Sequence, residues 1–216
     1  GNFDYDKTLN LVRDIYKDIS FKNDKRLPKV SDVKNVIRRK YIYKDDYNDE
    51  VILSFKIDIS DLSSFDRYKL DWYVGFFLDI NFAEFSKINE YVNNNSNYMG
   101  DVSYYLYYFN GYLIIDIITL TDRVDEFENL VLNCIKNRDT EEKEVFDLIL
   151  KDSITRISVR KDSISDYVAP IQENYIRFGY LDDDIDVINK FNYSEYDKII
   201  GNIDFSNYSV FYRKRK

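Results

Sequence analysis

The pair Asn110-Gly111 separates two alternating runs, "SYYLYYF" and "YLIIDIIT", and no other feature limits the fold of this chain as tightly. Both central residues of a type I′ turn need positive φ, which Asn tolerates and Gly adopts at little cost, so the pair predicts a two-residue β-hairpin. The register follows from the turn: Phe109 opposite Tyr112, Tyr107 opposite Ile114 and Tyr105 opposite Asp116. Successive strand side chains point to opposite faces. Tyr104, Leu106, Tyr108, Leu113, Ile115 and Ile117 therefore share one face that carries no charge, and this is the expected core face. The face with Asp116 is expected to be partly open.

Around the hairpin the periodicities change. Leu9, Val12, Tyr16 and Ile19 recur at three- and four-residue steps, which predicts an amphipathic helix capped by Asp4 or Asp6. A polar stretch with Pro28 reads as a linker, placing a boundary near residues 20 to 32. "VKNVIRRKYIY" and "EVILSFKIDIS" read as strands. In the second, Val51, Leu53, Phe55, Ile57 and Ile59 alternate with Ile52, Ser54, Lys56 and Asp58. Residues 64 to 82 are almost continuously apolar and too long for one strand, so a buried helix is expected there. A short helix follows around Phe82 to Tyr91. Behind the hairpin, Thr121 or Asp122 is expected to cap a helix with the stripe Val124, Phe127, Leu130, Val131, Cys134 and Ile135. Further helices are expected from Thr140, from Ser165 to Phe178 with Gly179 as the stop, and from Ser194 to Ile200, followed by a last short strand with a basic tail. Together these elements predict an α+β fold, a largely antiparallel sheet packed against several helices.

Composition removes several kinds of chemistry. The 216 residues include no histidine and one cysteine, Cys134. Ser-His-Asp and Cys-His nucleophiles, His-containing zinc motifs and an intrachain disulfide are therefore excluded. Thirty-one basic against 39 acidic residues give a net charge of −8. That balance argues against a general phosphate-backbone binder, and no nucleic-acid partner is expected. No apolar run approaches the length of a membrane span, and the lone cysteine fits an intracellular, cytoplasmic setting. The excess of Asn, Lys, Ile, Tyr, Asp and Phe is what AT-rich coding gives, so tyrosine number alone signals no function.

The order of elements, with its particular words, resembles the non-catalytic domains of the insulinase/pitrilysin-like zinc metallopeptidases, above all the C-terminal domain of insulin-degrading-enzyme-like proteins. "GNFDYDKTLNLVRDIYKDI" is similar to the end of a preceding homologous domain, and "KYIYKDDYNDEVILSFKI" to the opening strand pair. "FAEF", "DRVDEFENLVLNCI" and the long stretch from "TEEKEVF" to "YIRFG" resemble the segments that follow. The implied organisation is a terminal helix and linker over residues 1–30 and an α+β C-terminal domain over 31–216. The family's His-x-x-Glu-His zinc motif has no counterpart here. The resemblance thus implies no metal or cofactor in this chain, with zinc in a separate catalytic domain, and a fragment or partner of a zinc metalloendopeptidase that is not an enzyme by itself. Family C-terminal domains supply an arginine and a tyrosine that hold the substrate backbone. Here Ser86 falls where the arginine would be, "NYMGDVS" keeps Gly100 of the Leu-Gly-Tyr triplet, and Tyr98 substitutes after a local shift. The residues expected to contact a peptide are Tyr98, Gly100, Tyr105, Tyr107 and Tyr112.

Other features have plainer readings. The run Asp182, Asp183, Asp184 and Asp186 lacks EF-hand spacing and reads as a solvated helix start. Glu141 and Glu142 read as surface. "RRK" at 38 to 40 reads as a solvated strand edge and "RKRK" at 213 to 216 as a disordered tail. Cys134, on an apolar stripe, reads as an inert core thiol. The expected function is a catalytically silent wall of a peptidase chamber that supports peptide binding or closure. Its partner is the catalytic half or a peptide ligand. The alternative is a stand-alone protein- or peptide-interaction module.

Overall fold

A computed structural model describes residues 4–17, 34–36, 39–138, 142–180 and 184–216. The elements in chain order are α1 (Tyr5–Tyr16), β1 (Lys40–Asp45), β2 (Glu50–Asp58), α2 (Ser64–Phe82), α3 (Lys87–Asn93), β3 (Ser103–Phe109), β4 (Tyr112–Thr119), α4 (Val124–Lys136), α5 (Glu142–Arg160), α6 (Ile164–Phe178), α7 (Asp184–Ile188), α8 (Tyr193–Gly201) and β5 (Tyr208–Arg215). The chain divides into two units, Gly1–Asp32 and Val33–Lys216. The first contains α1, capped by the Asp4 carboxylate, which accepts from the Lys7 N–H at 3.1 Å. Ile19, the Pro28 linker, Arg38, Thr140, Glu141, Asp182 and Asp183 lie outside the described residues.

The second unit is a five-stranded sheet in the order β1-β5-β2-β4-β3, covered on one face by helices. All neighbours are antiparallel except β1 and β5. The hairpin has the expected register, with Tyr105 opposite Asp116, Tyr107 opposite Ile114 and Phe109 opposite Tyr112. Its turn places Asn110 at φ 49° and Gly111 at φ 81°, the two left-handed positions that a type I′ turn demands. Val51, Leu53 and Phe55 of β2 and Leu113, Ile115 and Ile117 of β4 are buried on the helix-covered face.

Helix α2 is apolar on nearly every side because it is the middle of the domain. It packs against β3 and against α3, α5, α6 and α8, burying Tyr68, Tyr73, Phe77 and Phe82 among others. Ser63 caps its start, its hydroxyl accepting from the Asp66 N–H. Gly179, at φ 70°, ends α6 and donates its N–H to the Tyr175 carbonyl, a left-handed stop that suits glycine. Pro170 lies within α6.

Several local expectations need correction. Helix α4 is not capped by the side chain of Thr121 or Asp122; the Thr121 hydroxyl accepts from the Arg123 N–H one step too early. Helix α8 starts at Tyr193, with Asn192 as its cap, rather than at Ser194. The basic end is not a tail, since Arg213, Lys214 and Arg215 are strand residues paired with β1, and Arg213 also forms an ion pair with Glu50 at 3.0 Å. β5 enters the sheet between β1 and β2. The opening strands are therefore not adjacent, a result of non-local pairing that no local pattern encodes.

Candidate functional site

The sheet has a second face, and its composition is unusual for an open one. Across neighbouring strands, Ile118, Ile52, Phe211 and Tyr41 form one row, and Tyr105, Asp116, Ser54 and Ser209 the next. Then come Tyr107, Ile114 and Lys56, and after them Phe109, Tyr112 and Asp58. At the β3 edge, Tyr105, Tyr107 and Phe109 are 52%, 47% and 54% exposed. The Tyr105 and Tyr107 rings stack with centroids 6.3 Å apart. The Lys56 ammonium lies over the Tyr112 ring at 4.2 Å, a cation–π contact.

Asp116 is the acid in the middle of this face. Burial pushes its carboxyl above the usual carboxylate range, opposed by a hydrogen bond from the Ser54 hydroxyl. Its Oδ1 is buried and accepts no hydrogen bond from any described group. The Tyr107 phenol is pushed up by burial first and then by the charges of Asp116 and Tyr105.

Of the five residues expected to contact a peptide, Tyr105, Tyr107 and Tyr112 share this face. Tyr98 does not. It is 8% exposed, its ring packs edge-on against Phe127 and Tyr91, and its hydroxyl donates to Glu126 at 3.3 Å. Gly100 lies in the approach to β3, where a Cβ would meet Leu120 at 3.9 Å. Ser86 is the buried N-cap of α3, its hydroxyl accepting from the Asn89 N–H. Neither position of the expected clamp is on the open face.

Elsewhere the polar groups are bound up in structure. Glu142, read as a surface acid, is 1% exposed and accepts from Tyr196 at 2.5 Å and Tyr193 at 3.2 Å. Asp184, read as part of a solvated helix start, is buried and accepts from Tyr68 at 2.5 Å and Asn174 at 2.8 Å. Asn89, which sequence reasoning missed, is buried. Its amide donates to the Phe82, Ala83 and Val102 carbonyls, and its carbonyl accepts from Val102 N–H at 2.6 Å. Its helical, polar neighbourhood gave no signal for such a hub. The Cys134 thiol is half-buried against Asn81. A cleft of about 640 Å³ between β2 and α8 is lined by Lys34, Asp58, Asp66, Lys69 and Glu195. Lys34 pairs with Asp58 at 2.8 Å, Lys69 pairs with Glu195, and Ser63 donates to Asp66. That pairing gives a braced surface and no nucleophile with an adjoining base.

Zinc needs a set of imidazole, thiolate or carboxylate donors. The chain has no histidine and one cysteine, and among the described residues no group of three donor residues is placed to hold a metal. No described helix is long and apolar enough to cross a membrane.

The fold has clear counterparts. The chain superimposes over 100% of its length on a protein of Alicyclobacillus acidocaldarius described as an M16-like peptidase, with a TM-score of 0.75 and 15% identity. It covers 99% of its own length on a protease from Helicobacter pylori, with a TM-score of 0.75 and 12% identity. It covers 100% on a Yersinia pestis protein described as an insulinase family protease, with a TM-score of 0.64 and 11% identity. These alignments span 53%, 53% and 50% of the other chains, so this chain is about half their length. No family model and no curated protein matches the sequence. The fold is that of an M16-like, insulinase-type peptidase domain, and the chain corresponds to about half of such a molecule.

Proposed function

We propose that this chain is a catalytically silent C-terminal domain of an insulinase-like zinc metallopeptidase. In this reading it forms one wall of the substrate chamber, and its open sheet face meets peptides. The observation that carries the reading is the coincidence of two facts: the whole chain takes the fold of these peptidases over half their length, and it has no histidine with which to build their zinc centre. Zinc, the general base and bond cleavage belong to a separate half. The aromatic rows around Tyr105, Tyr107 and Tyr112 supply apolar area, and the β3 edge supplies backbone donors and acceptors for an extended peptide. A single half-buried thiol suits an intracellular setting.

Affinity capture of the chain from its source, with mass spectrometry of the bound proteins, tests this reading. The expected result is a longer parent chain or a partner that carries His-x-x-Glu-His and has chelator-sensitive peptidase activity. Reproducible partners without that motif would instead favour the interaction-module reading, for which the half-exposed aromatic face is the specific support.

A further inference from the structure

Resting on the reading that the open face meets peptides, we infer that this face selects peptide segments bearing a lysine or arginine side chain, and that Asp116 is the residue that receives the cation. Asp116 stands on β4, with a strand on either side, rather than at a solvated edge. Its cross-strand neighbours are Tyr105 and Ser54. Oδ1 of Asp116 is buried and accepts nothing from the described groups. No ion pair to Asp116 forms among the described residues, although other acids of the second unit find lysine or arginine partners.

A buried carboxylate oxygen without a donor is costly, and it is a strong acceptor for any charge-assisted donor that reaches it. What surrounds it fits a cation as well. The stacked Tyr105 and Tyr107 rings beside it are half-exposed, and their faces attract an ammonium or guanidinium. Ile114, Ile118 and Ile52 supply apolar surface for the aliphatic stem of such a side chain. The nearest competing cation of the face, Lys56, is placed over Tyr112. An acidic or neutral peptide would meet the same rings without satisfying the carboxylate, so charge complementarity selects the basic one.

The test uses the full chain with tyrosine rings isotope-labelled for NMR, and two probes, acetyl-Ala-Arg-Ala-Arg-Ala-amide and its glutamine counterpart. The expected result is at least tenfold tighter binding of the arginine peptide, with the Tyr105 and Tyr107 ring signals shifting on titration. Asp116→Asn removes the charge at nearly constant shape and should abolish the preference, whereas Asp101→Asn, an exposed acid near the same strand, should keep it. If Asp116→Asn does not fold by circular dichroism, Asp116→Ser is measured in its place. Equal binding of the two peptides would overturn the cation inference and leave the peptide-wall reading standing. Failure of both to bind, or a preference that survives loss of Asp116, would also overturn it. A charge preference found in a chain that captures no zinc-peptidase half would separate this inference from the peptidase assignment.

Discussion

At the residue scale, the tyrosines act as tethers. At least ten tyrosine hydroxyls among the described residues donate to carboxylates, many of them far apart in sequence. In pairs such as Tyr68–Asp184 and Tyr196–Glu142 the hydroxyl satisfies a buried acid while the ring fills core, so the abundance of tyrosine has a structural use beyond any coding bias. Removing the Tyr196 hydroxyl leaves the buried Glu142 with the longer Tyr193 bond and with Arg138 at 3.7 Å. Tyr196→Phe should therefore cost about 2 kcal/mol by urea denaturation. A loss below a few tenths would show that Glu142 needs no such donor. Tyr68, Tyr73 and Tyr196 have phenols raised well above their usual value, by burial first and then by their carboxylate acceptors. The folded form thus holds these protons more tightly than the unfolded one. Their stabilisation is whole below about pH 10 and falls as pH rises beyond it, by about 1.4 kcal/mol per pH unit for each. The urea midpoint should drop steeply between pH 10 and 11.5, and less steeply in Tyr196→Phe. An unchanged slope in that variant would remove Tyr196 from the account.

At the element scale, legibility followed locality. The hairpin was readable to the register because its turn chemistry is local, and α2 because an apolar run of that length fits no strand. Gly179 marked the end of α6 for the same reason. The misses are non-local. Nothing in "SVFYRKRK" states that β5 inserts between β1 and β2, and nothing near Glu142 or Asp184 announces hydroxyl partners 54 and 116 residues away. The open site was legible in part. Alternation placed Tyr105, Tyr107 and Asp116 together, whereas the lack of a donor at Asp116 Oδ1 among the described residues needed the packed structure. Gly111 offers a test at this scale, since a Cβ there would sit 3.3 Å from the Ser60 Cβ at a positive φ. Gly111→Ala should destabilise the domain by about 1–2 kcal/mol, read as a lower urea midpoint. A neutral result would mean that the turn relaxes into another type.

At the scale of the whole molecule, the proposed function makes one architecture silent in one domain and reactive in another. The sheet and its helix cover match those of M16-like peptidases, and this sequence has no histidine. In the proposed function this domain contributes surface, the aromatic face around Asp116, and the zinc-bearing half supplies the reacting groups. The most direct test is a reconstitution assay that measures chelator-sensitive cleavage of a fluorogenic peptide by this chain alone, by the half carrying His-x-x-Glu-His alone, and by the two mixed. The account predicts no cleavage by this chain, little by the zinc half, and a clear rise on mixing. Chelator-sensitive cleavage by the purified chain alone, or an activity of the zinc half that this chain leaves unchanged, would contradict it.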